Sequence, residues 1–155
     1  MSDLTDKTMK MLRFNHGLTK KYNGKLSFGV GNCFAKLVFV IPEFDNEFIY
    51  LLERLLPKFN IDVPDVYITP FYKFHTDDME LLNRIFDKEM SIVEPFNIIA
   101  ADNIKMAAPK TYIFENIPEL TEVIRIEKSD SYNKKLLIKK QKYIISRLNE
   151  IIKEI

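Results

Sequence analysis

Leu37-Val-Phe-Val-Ile41 is the stretch on which the fold turns. A short, wholly apolar run rich in β-branched residues reads as a strand covered on both faces, as in a parallel sheet. Downstream, Asp45 is placed to cap a helix, with Phe44 before it and Ile49 after it at the spacing of a hydrophobic staple. Phe48, Leu52, Leu55 and Leu56 fall on one stripe of that helix, and Pro57 ends it. Val66–Thr69 is a second strand, stopped by Pro70. Asp77 and Glu80 have capping-box spacing at the start of a further helix, whose core face would be Leu82, Ile85, Phe86 and Met90. Phe96–Ala101 reads as a third buried strand and Val123–Ile126 as a fourth, with Tyr112–Phe114 a further candidate. A last helix starts near Asn133, where Leu137, Ile144 and Ile151 recur every seven residues.

Upstream, residues 3–12 suit a short helix with Leu4, Thr8, Met11 and Leu12 on one side. Residues 15–33 are punctuated by Gly17, Gly24, Gly29 and Gly31 and read as loop with a short strand. Strand and helix therefore alternate, which calls for a three-layer α/β/α sandwich around a central, mainly four-stranded parallel sheet. The 155 residues suffice for one such domain, spanning 1–155. Ligands of these sheets bind beyond the carboxyl ends of the strands, which directs attention to 42–46, 70–76, 101–110 and 127–132.

With 46% hydrophobic and 29% charged residues, the composition is globular rather than disordered. No apolar run approaches the about 20 residues needed to span a bilayer, and no signal peptide is expected from the polar first residues. The single cysteine, Cys33, excludes an internal disulfide framework and an all-cysteine metal site, so a reducing, cytoplasmic location is expected. The net charge of +1 conceals an asymmetry: residues 1–36 and 125–155 each carry +5, and the middle carries −9. Folded onto one face, the two terminal segments would attract a polyanion such as DNA. Alternatively, their lysines merely solvate two helices.

The order of the pieces brings a family into view. Gly29-Val-Gly-Asn-Cys-Phe-Ala-Lys-Leu-Val-Phe-Val40 resembles the lead-in to the first motif of the iron–sulfur, bacterial and archaeal type of uracil-DNA glycosylase, "G-x-G-N-P-x-A-K-L-M-x-V". Val66-Tyr-Ile-Thr69 with Lys73 resembles that family's "V-Y-I-T-N-x-x-K-C". Glu89-Met-Ser-Ile-Val-Glu-Pro95 followed by Ile98-Ile-Ala100 resembles its "E-L-x-L-x-x-P-x-x-I-x-x-L-G", and Lys134 to Leu148 matches the helix after its "H-P-S" motif. The likeness covers roughly residues 26–150 and implies the uracil-DNA glycosylase type of fold.

The family's chemistry does not carry over with it. Phe39-Val-Ile-Pro-Glu-Phe-Asp45 stands in place of the loop that positions a water and stacks on the flipped base. Glu43 or Asp45 would be left to orient a water, and Phe44 to stack. Pro70 takes the place of the asparagine that reads the uracil edge, and proline has no side-chain donor or acceptor. Ile126-Glu-Lys-Ser129 occupies the "H-P-S" position; Glu127 would repel the departing base anion that the histidine stabilises. Phe74 replaces a cluster cysteine, and Cys33 alone cannot hold an iron–sulfur cluster, so no cofactor is implied.

Outside these motifs, His75 beside Asp77 and Asp78 is a metal or acid–base candidate, weighed against a solvated loop with a helix cap; no metal is expected. Lys73, Lys128, Ser129, Lys134 and Lys135 are candidate contacts to a DNA backbone, and Tyr132 a candidate for stacking on a base. The expectation is a non-catalytic glycosylase-like protein that binds DNA or protein in replication or repair, of a size that would suit a virus or mobile element. An enzyme of altered specificity using Glu43, Asp45 or His75 is one alternative, and an assembly subunit with an acidic partner surface is another.

Overall fold

The structure is a computed structural model that describes residues 2–22, 24–104, 106, 113–128 and 134–152. Helix α1 runs Ser2–Lys21 and is followed by a short strand, β1, at Val30–Gly31. Then come β2 (Leu37–Ile41), α2 (Asn46–Leu55), two 3-10 turns (Leu56–Phe59 and Val63–Asp65) and β3 (Val66–Pro70). The rest is α3 (Met79–Val93), β4 (Asn97–Ala100), β5 (Ile113–Asn116), α4 (Glu119–Lys128) and α5 (Lys134–Ile152).

The strands form one mixed five-stranded sheet in the order β1-β3-β2-β4-β5. Strands β2 to β5 are parallel to their neighbours, and β1 is antiparallel to β3 at the edge. All five residues of β2 are buried, as a central strand of a covered sheet requires. Leu37, Phe39 and Ile41 pack into one core with Leu52, Leu55 and Ile144, among others. Val38 and Val40 face a second core with Phe14, Phe86 and Met90. Alternate residues of one strand thus serve two cores, with α2, α4 and α5 on one face and α1 and α3 on the other.

Asp45 caps α2: its Oδ1 accepts from the amides of Glu47 at 3.0 Å and Phe48 at 3.3 Å. Two orphan donors of the first turn are thereby satisfied, so Asp45→Ala should cost about 1 kcal/mol. For a chain of this size that is a fall of about 2–4 °C in Tm, read by thermal unfolding. Ile49 enters the core, whereas Phe44 stays outside it at 37% exposure.

Several boundaries differ from the sequence expectation. Val123–Ile126 is not a strand but lies within α4; Leu120, Val123 and Ile124 are buried at helical spacing against the sheet, and that burial outweighs the β preference of Val and Ile. The fourth parallel strand is instead Ile113–Asn116, overlapping the further candidate; Tyr112 lies outside the described residues. The first helix does not stop at residue 12 but continues through Gly17 to Lys21, burying Met11, Phe14 and Leu18 while Leu12 is exposed. Helix α3 is capped by Asp78, which accepts from the Leu81 amide at 3.0 Å, rather than by Asp77.

The basic ends do not share a face. Helix α1 packs in the second core beside α3, whereas α5 places Ile144 and Leu148 in the first core on the opposite side of the sheet. The lysines of α1 and those of α5 therefore do not form a single basic surface. Among the described residues, no helix is long and apolar enough to cross a membrane.

Candidate functional site

Where the parallel strands end, two loops are zipped together. The Phe71 amide donates to Ile41 O at 2.8 Å, and the Tyr72 amide to Pro42 O at 2.9 Å. This leaves a two-lobed cleft at the strands' carboxyl ends, in the region where such sheets hold ligands. The larger lobe, about 670 Å³, is bounded by the 41–46 segment, Asp102 and the start of α4 at Thr121 and Arg125. The smaller, about 210 Å³, is bounded by Ser27, Tyr72, Phe74 and His75. Lys25, Glu43 and Phe44 line both lobes, so the Phe44 ring stands where they meet.

The sequence candidates Glu43, Phe44, Asp45 and His75 are therefore brought into one region. Their chemistry differs. Asp45 spends its carboxylate on the helix cap, whereas Glu43 and His75 are solvent-exposed. Asp102 Oδ1 accepts from the Asn103 amide at 2.7 Å, and Oδ2 lies 3.9 Å from the Arg125 guanidinium. Thr121 ties α4 to the end of β4, its hydroxyl donating to Ala101 O at 2.6 Å. The larger lobe thus carries three acids against Lys25 and Arg125, a mixed lining rather than a dense anion site. Among the described residues, no group of three or more His, Cys, Asp and Glu side chains is close enough to hold a metal. Asp78, beside His75 in sequence, is taken up by its cap.

Lys73 requires the largest correction. It was expected at a DNA backbone, but its side chain is 1% exposed, and the ammonium lies 2.7 Å from Glu89 Oε1. It also donates to Pro70 O at 2.7 Å and to the Thr69 hydroxyl. Tyr67 and Thr69 each donate to Glu89 Oε2 at 2.7 Å. Burial pushes the Lys73 ammonium below its ordinary value, and the facing carboxylate counters that push. Burial, and then Glu89, raise the Tyr67 phenol well above the usual tyrosine value.

The first motif feeds the same network. A Cβ on Gly29 would come within 2.0 Å of the Tyr67 hydroxyl, so glycine is what leaves room for that ring. Gly31, at φ +100°, lets β1 run against Val66 O, and the Asn32 side chain bridges to Pro64 O at 2.9 Å. The segments that carry the sequence resemblance are thus knitted together as scaffold, behind the cleft rather than in it.

The remaining basic candidates lie elsewhere. Lys134 and Lys135 are exposed in the first turn of α5, and no α5 residue lines either lobe. Farther along that helix, Lys140 pairs with Glu122 and Arg147 with Glu115, which pins α5 to α4 and β5. The side chain of Lys128, and all of Ser129 and Tyr132, lie outside the described residues. The segment that leaves the last parallel strand is Ile117-Pro118-Glu119, not Ile126–Ser129, and neither contains a histidine. Pro70 closes β3 and is buried. Cys33 is half-buried against the second core. No family model and no curated protein matches the chain.

Proposed function

We propose that the chain is a uracil-DNA-glycosylase-like protein that has lost base excision and acts as a DNA-binding module through the cleft at the carboxyl ends of its parallel strands. The observation that carries this reading is the exposed Phe44 ring between two lobes, with Lys25 lining both. An aromatic face stacks on any base, and adjacent cations meet phosphates without regard to sequence. Four parallel strands covered by helices on both faces support the fold side of the proposal.

The residues at the ends of the strands support loss of excision. Asp45 is committed to its cap, Pro70 has no group to read a pyrimidine edge, and no histidine leaves the last strand to stabilise a departing anion. Oligonucleotides containing uracil, single- and double-stranded, should bind with a shallow salt dependence, that of about two phosphate contacts, and release no base. Phe44→Ala should weaken that binding about tenfold, as expected for losing one stacked base. Lys25→Ala should lower the salt slope by about one phosphate contact. Fluorescence anisotropy across a salt series measures both effects. Binding absent at low salt would remove DNA from the account.

A second reading rests on Glu43 and His75, which line the same small lobe as a carboxylate and an imidazole. It makes the chain a hydrolase acting on a modified base or nucleotide. Release of base in the oligonucleotide assay, lost in Glu43→Gln, would favour it over the first.

A further inference from the structure

On the far side of the sheet from α5, α1 and α3 lie antiparallel. Lys7 donates to Val93 O at 2.9 Å near one end of the pair, and Tyr22 and Leu81 line a common space near the other. Between them runs a groove of two neighbouring lobes, about 320 and 380 Å³, with Arg13, Phe14 and Lys88 lining both. From Lys10 to Lys21 it extends roughly 16 Å, about three helical turns.

Its lining has a consistent character. Lys10, Arg13 and Lys21 come from α1, and Arg84 and Lys88 from α3, so cations stand on both rims. All five are exposed, and among the described residues no acidic side chain lines either lobe. The floor is apolar: Phe14 and Leu18, one turn apart on α1, and Ile85 and Ile92, two turns apart on α3. Midway along it is Gly17, inside α1, where a Cβ would meet nothing within 4 Å. A glycine in a helix interior costs helix stability and is here not required by packing within the chain. Its effect is to let another backbone approach closely.

The geometry points to this groove as the docking site for an acidic amphipathic helix of a protein partner. A third helix seats its apolar stripe between two others, and glutamates or aspartates on its flanks would meet the two cationic rims. A nucleic-acid strand fits less well, because it needs open aromatic faces. Phe14 is buried, and the Tyr22 ring is already stacked on Phe74 at 4.4 Å. This surface lies on α1 and α3 and does not depend on the DNA-binding reading of the cleft.

The test uses the full chain and a fluorescein-labelled, stapled peptide of about four helical turns, with leucine at i, i+4, i+7 and i+11 and glutamate on both flanks. Anisotropy should show saturable binding that weakens severalfold between ~50 and ~200 mM salt, and a lysine-for-glutamate version should not bind. Arg84→Glu combined with Lys88→Glu should weaken binding at least about tenfold by reversing one rim. Gly17→Leu should block the groove while Tm holds, and Gly17→Ala should raise Tm by a few degrees through its helix propensity. No saturable binding at the lower salt, or binding undiminished in both blocked variants, overturns the assignment. So does a thymidine oligonucleotide, or self-association seen by sedimentation, that these same substitutions abolish, because the groove would then belong to nucleic acid or to a second copy.

Discussion

Glu89→Leu is expected to cost about 3–5 kcal/mol, because it strands a fully buried ammonium whose counter-charge is gone. Lys73→Met should be similarly severe, leaving a buried carboxylate supported only by the hydroxyls of Tyr67 and Thr69. The two losses should not add. With Lys73→Met and Glu89→Leu together, neither charge remains, and the residual cost is that of two hydroxyls without their acceptor, about 1–3 kcal/mol. Urea unfolding of the four chains closes the cycle. Single variants that each lose less than about 1 kcal/mol, or costs that simply add, would show that the pair is not coupled as its geometry requires.

That network also marks the limit of reading this chain without coordinates. Local signals were legible where one segment decided its own state. Leu37–Ile41 declared a doubly covered strand by unbroken apolarity, Asp45 declared a cap, and Leu82, Ile85, Phe86 and Met90 declared a buried helix face. The cleft was legible in part, since loops 42–46 and 70–76 follow strands whose direction the strand–helix alternation implied. Val123–Ile126 misled because three β-branched residues mimic a strand, while the helical stripe that includes Leu120 shows its meaning only against the sheet. Gly17 misled in the opposite direction, suggesting a break in a helix that runs through it.

Lys73 was beyond local reading altogether. A lysine in a loop after a strand belongs by default to the solvent, and what buries it is Glu89, on a helix 16 positions later. The cationic groove has the same origin, since Arg13 and Lys21 meet Arg84 and Lys88 only through the packing of α1 on α3. The sequence motifs and the candidate surfaces are therefore separable. Gly29, Tyr67, Thr69, Lys73 and Glu89 build an internal brace, and none of the five lines either lobe of the cleft.

Tyr67→Phe should make the brace measurable through pH. At pH 8 the variant should be less stable than the wild type by about 2 kcal/mol, the usual scale for a hydrogen bond to a buried charge. Above pH 10 the gap should close. Burial and the neighbouring carboxylate raise the phenol's folded-state pKa, so the folded chain keeps that proton while the unfolded chain gives it up near 10. The unfolded state then binds fewer protons, and wild-type stability falls by about 1.4 kcal/mol per pH unit on this account. The variant has no phenol at 67 and lacks that slope. Lys73 acts with the opposite sign and lower on the scale. Its folded-state pKa lies below 10.5, so between that value and 10.5 the unfolded chain holds the extra proton and stability rises with pH. The lysine contribution is carried by both chains and drops out of the difference to first order. Urea unfolding of wild type and Tyr67→Phe from pH 8 to about 11.5 reads the gap directly. The difference in tyrosinate absorbance between wild type and Tyr67→Phe should stay flat while both are folded and appear when unfolding releases the Tyr67 phenol. A gap that stays constant through pH 11 would mean that the Tyr67 hydroxyl is not held against Glu89 in a water-free interior.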